Sequence, residues 1–507
     1  MKSVAVDGPR SLPSLVVGAL VCFVLGTGSG CSNGEDTVRY SAEKKLYKAN
    51  KTKLEIPRSG ESQQKKFIDK AIEEYRGVVE EFGDRIEAVE GLEAIVLEAQ
   101  MSLAEVQARA GRTLEARDSY QKALELERHS PVHRMEAMYS AASLSEAIED
   151  FENSITLYNQ FYEEYLPVDK APATGQEQIR YLETPLRLSE LARRTKNESG
   201  HKGWLQKAET LYGALITGSL PPALLKAVRF NLLTTYVQGE KWQKALAHSS
   251  ELKTYYLEAS DQASLRFLDA RIYRAQGNTK EASSHCREIY ENYPESREAS
   301  SAMLLDAALY LQTTDIEQAE RLYETVLQRY PGQLAVKAEA EWQLATIEEG
   351  RDNWAEASLR YKEISNNYPG TTYGFEAPLR LASGNERLGG IEAARAAYQN
   401  AIEAYEKVIS GRYPTATKLV AEDYVLQVYT RQGQWEEAIT HLTTLPQKYP
   451  AYKILQANYL AAASICEDEL NDKARAAGLL EQCIQLYPAG EAAQEAQERL
   501  NRLSSRK

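Results

Sequence analysis

Six histidines and five cysteines are the residues of this 507-residue chain best suited to metal or nucleophilic chemistry. Their spacing gives them little to work with. His129 and His133 stand four apart, a separation that can bring two imidazoles to one helix face, but Pro131 lies between them and argues against a shared face. His285 and Cys286 are adjacent, and neighbours on a helix point about 100° apart, so they cannot act together on one substrate. The sequence holds no HExxH pair, no phosphate loop and no Ser or Cys in a recognisable nucleophile setting. Paired acids such as Glu80/Glu81 and Glu348/Glu349 read as solvated helix faces rather than acid–base dyads. The expectation is a protein without catalytic residues, metal or cofactor.

Charge narrows the partners. A net charge of −13 with no long basic run argues against nucleic acid, because phosphate neutralisation needs Lys and Arg in excess on some face. The N-terminus differs from the rest. Lys2 and Arg10 precede the apolar run "LPSLVVGALVCFVLG", followed by small residues and Cys31. That run is short for a membrane span and suits a secretory signal. Ser29 and Gly30 before Cys31 resemble a bacterial lipoprotein signal, whereas Gly28 departs from it. Ordinary cleavage nearby and an uncleaved anchor stay open beside lipidation. The expected organisation begins with a signal over 1–30, lipid on Cys31 and a short tether over 31–37, placing the chain in the bacterial envelope facing the periplasm. Cys286, Cys466 and Cys483 remain. The last two would lie on neighbouring antiparallel helices but be offset by roughly 10 Å, too far for a disulfide, so buried free thiols are expected.

Positioning depends on a repeat. Tyr-Pro recurs at Tyr293-Pro294, Tyr330-Pro331, Tyr368-Pro369, Tyr413-Pro414, Tyr449-Pro450 and Tyr487-Pro488. Twelve residues before most of these prolines stands an alanine: Ala282, Ala319, Ala357, Ala438 and Ala476. Packing residues follow it at offsets of four and seven, as in Ala319-Tyr323-Val326, which marks the buried stripe of a helix. The register continues upstream through Ala71, Ala116, Ser154, Ala208 and Ala245, and Ala394 completes the set. Pro ends each such helix, and the Tyr before it packs. Before each alanine lies another helical stretch, with Ala104 and Ala270 as points of close approach and Gly111 and Gly277 as turns. Each unit is a helix hairpin that cannot bury both faces alone, so units must stack.

Leu103, Ala104, Gly111, Ala116, Tyr120 and Ala123, and again Leu344, Ala345, Ala357, Tyr361 and Pro369, resemble the tetratricopeptide repeat. With the leader, the chain looks like exported repeat lipoproteins of bacterial envelopes, of the barrel-assembly and Tol–Pal coordinator type. The fold expected is all-α, a right-handed α-α superhelix of about eleven hairpins. It comprises an N-terminal block over 38–165, an irregular insertion over 166–200, a C-terminal block over 201–488 and a capping helix over 489–507. First helices would line a concave groove for a peptide or helix. By alignment its inward pairs are Phe230/Thr234, Phe267/Arg271, Leu304/Ala308, Trp342/Thr346 and Asp423/Gln427, with Phe230, Phe267, Arg271 and Trp342 as the anchors for a partner. None of these pairs supplies the Lys and Asn with which some relatives grip a C-terminal carboxylate. The function expected is a non-enzymatic, envelope-anchored scaffold binding protein segments in envelope assembly or secretion. The alternative is a repeat component of a polysaccharide synthesis and export machine.

Overall fold

A computed structural model describes residues 34–58, 61–126, 131–166, 179–450, 452–488 and 490–505. The expected signal, Cys31, His129 and part of the 166–200 insertion lie outside these residues. The described residues form helices joined by turns, bends and short irregular links, with no strand among them. Contacts divide the chain into two units, Met1–Lys207 and Ala208–Lys507, the division falling within the helix Glu198–Thr217.

In the first unit, helix Gly34–Glu55 pairs with Glu61–Phe82, Leu92–Arg109 with Thr113–Leu126, and Pro131–Ala147 with Phe151–Tyr165. The first helix starts at Gly34, inside the stretch expected to be a tether. In the second unit, Pro222–Gln238 pairs with Trp242–Tyr255, Ala259–Ala275 with Thr279–Asn292, Ala299–Gln312 with Ile316–Arg329, and Leu334–Gly350 with Trp354–Asn367. Helix Thr372–Ser410 is itself a hairpin, broken at Gly390, whose φ of 79° and ψ of 176° are not helical. Thr415–Arg431 with Trp435–Lys448 and Asn458–Asp468 with Lys473–Leu486 follow, and Glu491–Ser505 packs on the last of these.

The register of small and large residues is the packing code. Ala71, Ala116, Ser154, Ala208, Ala245, Ala282, Ala319, Ala357, Ala394, Ala438 and Ala476 are all buried, and so are the residues four and seven positions after each. Tyr75, Tyr158, Tyr212, Tyr323 and Tyr361, at the fourth position, are among the largest fully buried side chains. Small residue and ring alternate along one stripe, so a neighbouring helix comes close at the alanine and is filled against at the tyrosine.

Two features of the turns decide where helices stop. The first is a residue in the left-handed region five positions before the register residue. It is glycine at Gly111, Gly277 and Gly433, but Glu149, Glu240, Thr314, Asp352 and Asn471 adopt the same positive φ. At all of these but Asn471 the chain closes a six-to-one backbone bond, as from the Asn278 N–H to the Tyr273 carbonyl (2.8 Å) and from Asp315 to Tyr310 (3.0 Å). The second is the Tyr-Pro pair. Tyr293, Tyr330, Tyr368, Tyr449 and Tyr487 each cap a second helix with φ between −133° and −119°, donating to the carbonyl four residues back. Tyr413-Pro414 departs from this expectation. Its helix ends at Ser410 with Gly411 as the cap, and Pro414 opens the next helix instead. The Tyr413 ring lies against Gly370 and Gly411, where an added Cβ would come within 2.7 Å and 3.1 Å of it. Here the tyrosine packs and the glycine ends the helix.

Cys286, Cys466 and Cys483 are free and buried, as expected. Burial pushes all three thiols up.

Candidate functional site

The first helices of the second unit present equivalent positions one turn apart, three before, one after and four after the close-approach position, which is Ala270, Ala307 or Ala345 in three of them and Leu233 or Leu426 in two others. On Ala259–Ala275 these are Phe267, Arg271 and Arg274, which at i, i+4 and i+7 form one stripe. Phe267 is half-buried against the core that holds Cys286, Ile289 and Tyr323. Arg271 and Arg274 are exposed and have no carboxylate partner among the described residues. Crowding around the Arg271 guanidinium, and then the Arg274 charge, pull its pKa down, although by surface area the side chain is open to solvent. Two like charges one turn apart with nothing to neutralise them are costly to hold together, and an anion would relieve the cost.

Neighbouring rows set off this pair. Phe230 packs in its own cluster, 5.7 Å from the Tyr256 ring, and Thr234 bonds back to its helix. Leu304 is buried, and Ala308 and Leu311 are half-exposed. Trp342 is half-buried between Tyr361 and Tyr373, with ring centroids at 4.9 and 5.3 Å. Phe230, Phe267 and Trp342 thus carry inter-helix packing, each leaving part of its surface exposed, and Arg271 stands free. Asp423 is exposed and accepts from Gln427 (2.9 Å).

Further along, acid replaces base, already neutralised. Glu349 accepts from Arg380 through both oxygens (3.0 and 2.6 Å), from Arg387 (3.0 Å) and from Tyr361 (3.1 Å). Burial pushes this carboxyl up, but those bonds outweigh it and hold its pKa below the usual range. Sequence reasoning missed Arg274, whose signal was the seven-residue spacing from Phe267. It also missed the Glu349 network, which joins residues more than thirty apart and leaves no local trace.

A cleft of about 640 Å³ gathers titratable groups at Glu403, Glu406, Lys407, Glu422, His441 and Lys448. The buried Glu422 carboxylate accepts from Lys448 (2.7 Å) and Tyr449 (2.8 Å), and the His441 Nε2–H bonds the Glu422 carbonyl (2.9 Å). Burial pulls the His441 imidazole down. His248 makes the same bond at the equivalent position of another hairpin, to the Arg229 carbonyl (3.1 Å). Tyr236 and Tyr429 pack on these two imidazoles alike, at 6.0 Å. A histidine used twice in one structural role ties second helix to first. His285 has a third version, stacked on Tyr273 at 5.5 Å. No group of three or more His, Cys, Asp or Glu among the described residues is placed to hold a metal ion.

Residues 244–419 match the tetratricopeptide repeat-like domain, and residues 427–452 match the tetratricopeptide repeat. Residues 244–419 and 427–452 thus carry tetratricopeptide repeats. No curated protein matches the chain in sequence. Among solved structures it is similar to a tetratricopeptide repeat protein from Parabacteroides merdae, at 15% identity over 60% of this chain and 98% of that one, with a TM-score of 0.39. It is also similar to yeast Tom70, at 14% identity over 92% and 96% with a TM-score of 0.37. The apo quorum sensor NprR from B. thuringiensis aligns at 10% identity over 72% and 99%, with a TM-score of 0.39. Tetratricopeptide repeats are protein-interaction scaffolds: stacked hairpins offer rows of equivalent side chains to a bound segment.

Proposed function

We propose that this tetratricopeptide-repeat chain is an envelope-anchored adaptor that holds segments of other proteins during envelope assembly or secretion. The segment sits on the first helices around 222–350, and it carries a carboxylate flanked by apolar side chains. One observation carries the reading: Arg271 and Arg274 stand exposed and unneutralised beside Phe267, in a chain whose net charge is −13. Guanidinium groups grip carboxylates in two-pronged fashion, and aromatics with arginine are the residues that dominate interfaces. Anchoring through Cys31 keeps the adaptor at the membrane where its partners are inserted or exported.

Capture from detergent-solubilised envelopes with the parent chain and Arg271→Ala/Arg274→Ala tests the site. The expected result is loss of at least tenfold in captured partner with an unchanged melting temperature, and weaker capture by the parent as salt rises. Equal capture by the double variant overturns the site, and recovery of synthase or export-channel subunits overturns assembly in favour of the glycan reading. Cys31→Ser should move the protein out of the membrane fraction. Unchanged fractionation would remove the lipid anchor from the proposal.

A further inference from the structure

The first helix, Gly34–Glu55, has two apolar faces. At about 100° per residue, Ala42, Leu46 and Ala49 share one side, and all three are buried in the core of the first unit. Tyr40, Lys44, Tyr47, Lys51 and Leu54 follow one another at i, i+4, i+7, i+11 and i+14 on the opposite side. Tyr40 is 67% exposed, Tyr47 72% and Leu54 54%. A terminal repeat helix needs a polar outer face for solubility, and this one displays two aromatic rings and a leucine in a row.

The lysines sharpen the observation. Of the five on this helix, Lys45, Lys48 and Lys53 are paired with Glu81, Glu74 and Glu105 on the helices behind. Lys44 and Lys51, the two within the exposed stripe, have no carboxylate partner among the described residues. Two free cations therefore coincide with exposed rings on one line, with the exposed Glu43 at its flank, in an otherwise acidic chain.

We propose that this stripe docks on an anionic phospholipid surface, with Tyr40, Tyr47 and Leu54 at the headgroup–acyl boundary and Lys44 and Lys51 on lipid phosphates. Tyrosine suits that boundary because its ring is apolar and its hydroxyl wet, and lysine reaches phosphate over its own aliphatic stem. A second copy of the chain fits less well. Two-stranded pairing needs apolar side chains midway between positions 40, 47 and 54, where this helix has Glu43, Lys44, Asn50 and Lys51. The proposal rests on the anchored reading in one respect. Cys31 lies three residues before the helix, so a lipid there would hold the helix start within about 10 Å of the bilayer. Anchor and stripe would then act as two weak signals that together give stable attachment.

Flotation of the full-length Cys31→Ser chain with phosphatidylcholine vesicles, with and without about 30 mol% phosphatidylglycerol, separates the two ideas. The stripe predicts stronger binding to the anionic vesicles, reduced at least about thirtyfold by Lys44→Glu/Lys51→Glu. It also predicts loss in Tyr40→Ser/Tyr47→Ser, with melting temperatures of both variants unchanged. Binding of Cys31→Ser to neutral vesicles as strong as the parent's would sink the lipid anchor but leave the anionic comparison intact. Equal binding to both vesicle types, or binding indifferent to the charge reversal, overturns the stripe. A stripe-dependent dimer in light scattering, or a stripe-dependent protein partner without vesicle binding, overturns it in favour of that other occupant.

Discussion

Gly384 offers a test of the packing in which the sign of one substitution depends on another residue. It is buried on the first half of the 372–410 hairpin, and an added Cβ would lie 2.0 and 2.1 Å from Cη2 and Cζ2 of Trp354. Carbon atoms in good contact sit about 3.5–4.0 Å apart, so the indole would have to retreat by about 1.5 Å. Overpacking of that kind costs about 1–3 kcal/mol, while alanine for glycine inside a helix gains about 1 kcal/mol. Gly384→Ala should therefore destabilise the parent by up to about 2 kcal/mol. In a Trp354→Ala background the clash is gone and the same change should stabilise by about 1 kcal/mol, a coupling of about 1–3 kcal/mol. Urea unfolding followed by far-ultraviolet circular dichroism measures the four corners. Amide exchange of residues 372–389 guards against the array melting in parts. A coupling below about 0.5 kcal/mol, or the same sign in both backgrounds, would show that Trp354 does not occupy the space above Gly384.

Other consequences are open to simpler measurement. Ala319→Leu places three extra carbons at a fully buried close-approach point and should lower stability by about 1–3 kcal/mol; a thermal melt matching the parent would move Ala319 out of the contact. Thr314, at φ 64°, holds a β-branched residue in the left-handed region, so Thr314→Gly should stabilise by about 0.5–1 kcal/mol in the same melts. The Glu349 pKa is depressed in the native state, so the native chain binds fewer protons than the unfolded one around pH 4.5. Its contribution is present above that pH and fades as pH falls through the native value. Glu349→Gln should accordingly cost about 1–2 kcal/mol at pH 7, with the gap to the parent narrowing below about pH 4.5. Cys286, Cys466 and Cys483 should resist alkylation in the native chain and react once it is unfolded in urea, read by mass spectrometry.

Much of this architecture is local, and that is why it could be read from the chain. The alanine, the ring four residues later and the aliphatic seven later sit on one helix face by geometry alone, and Pro294, Pro331, Pro369, Pro450 and Pro488 lack the N–H that would continue their helices. Hairpins built this way leave apolar faces uncovered, so stacking followed from the same residues. Tertiary structure decided whatever depends on a partner distant in sequence. Positive φ at Thr314 or Asp352 is imposed by closing a turn between two packed helices, against the preference of the residue itself. Tyr413 joins no helix cap because Gly370, more than forty residues earlier, offers its ring a place to pack. Glu349 is neutralised by arginines of a later helix, whereas Arg271 and Arg274 find no acid among the described residues, and a sequence lists charges without saying which are paired. The same holds for Tyr40, Tyr47 and Leu54: their spacing marks a helix face, but only the packed fold shows that the other described residues leave it uncovered.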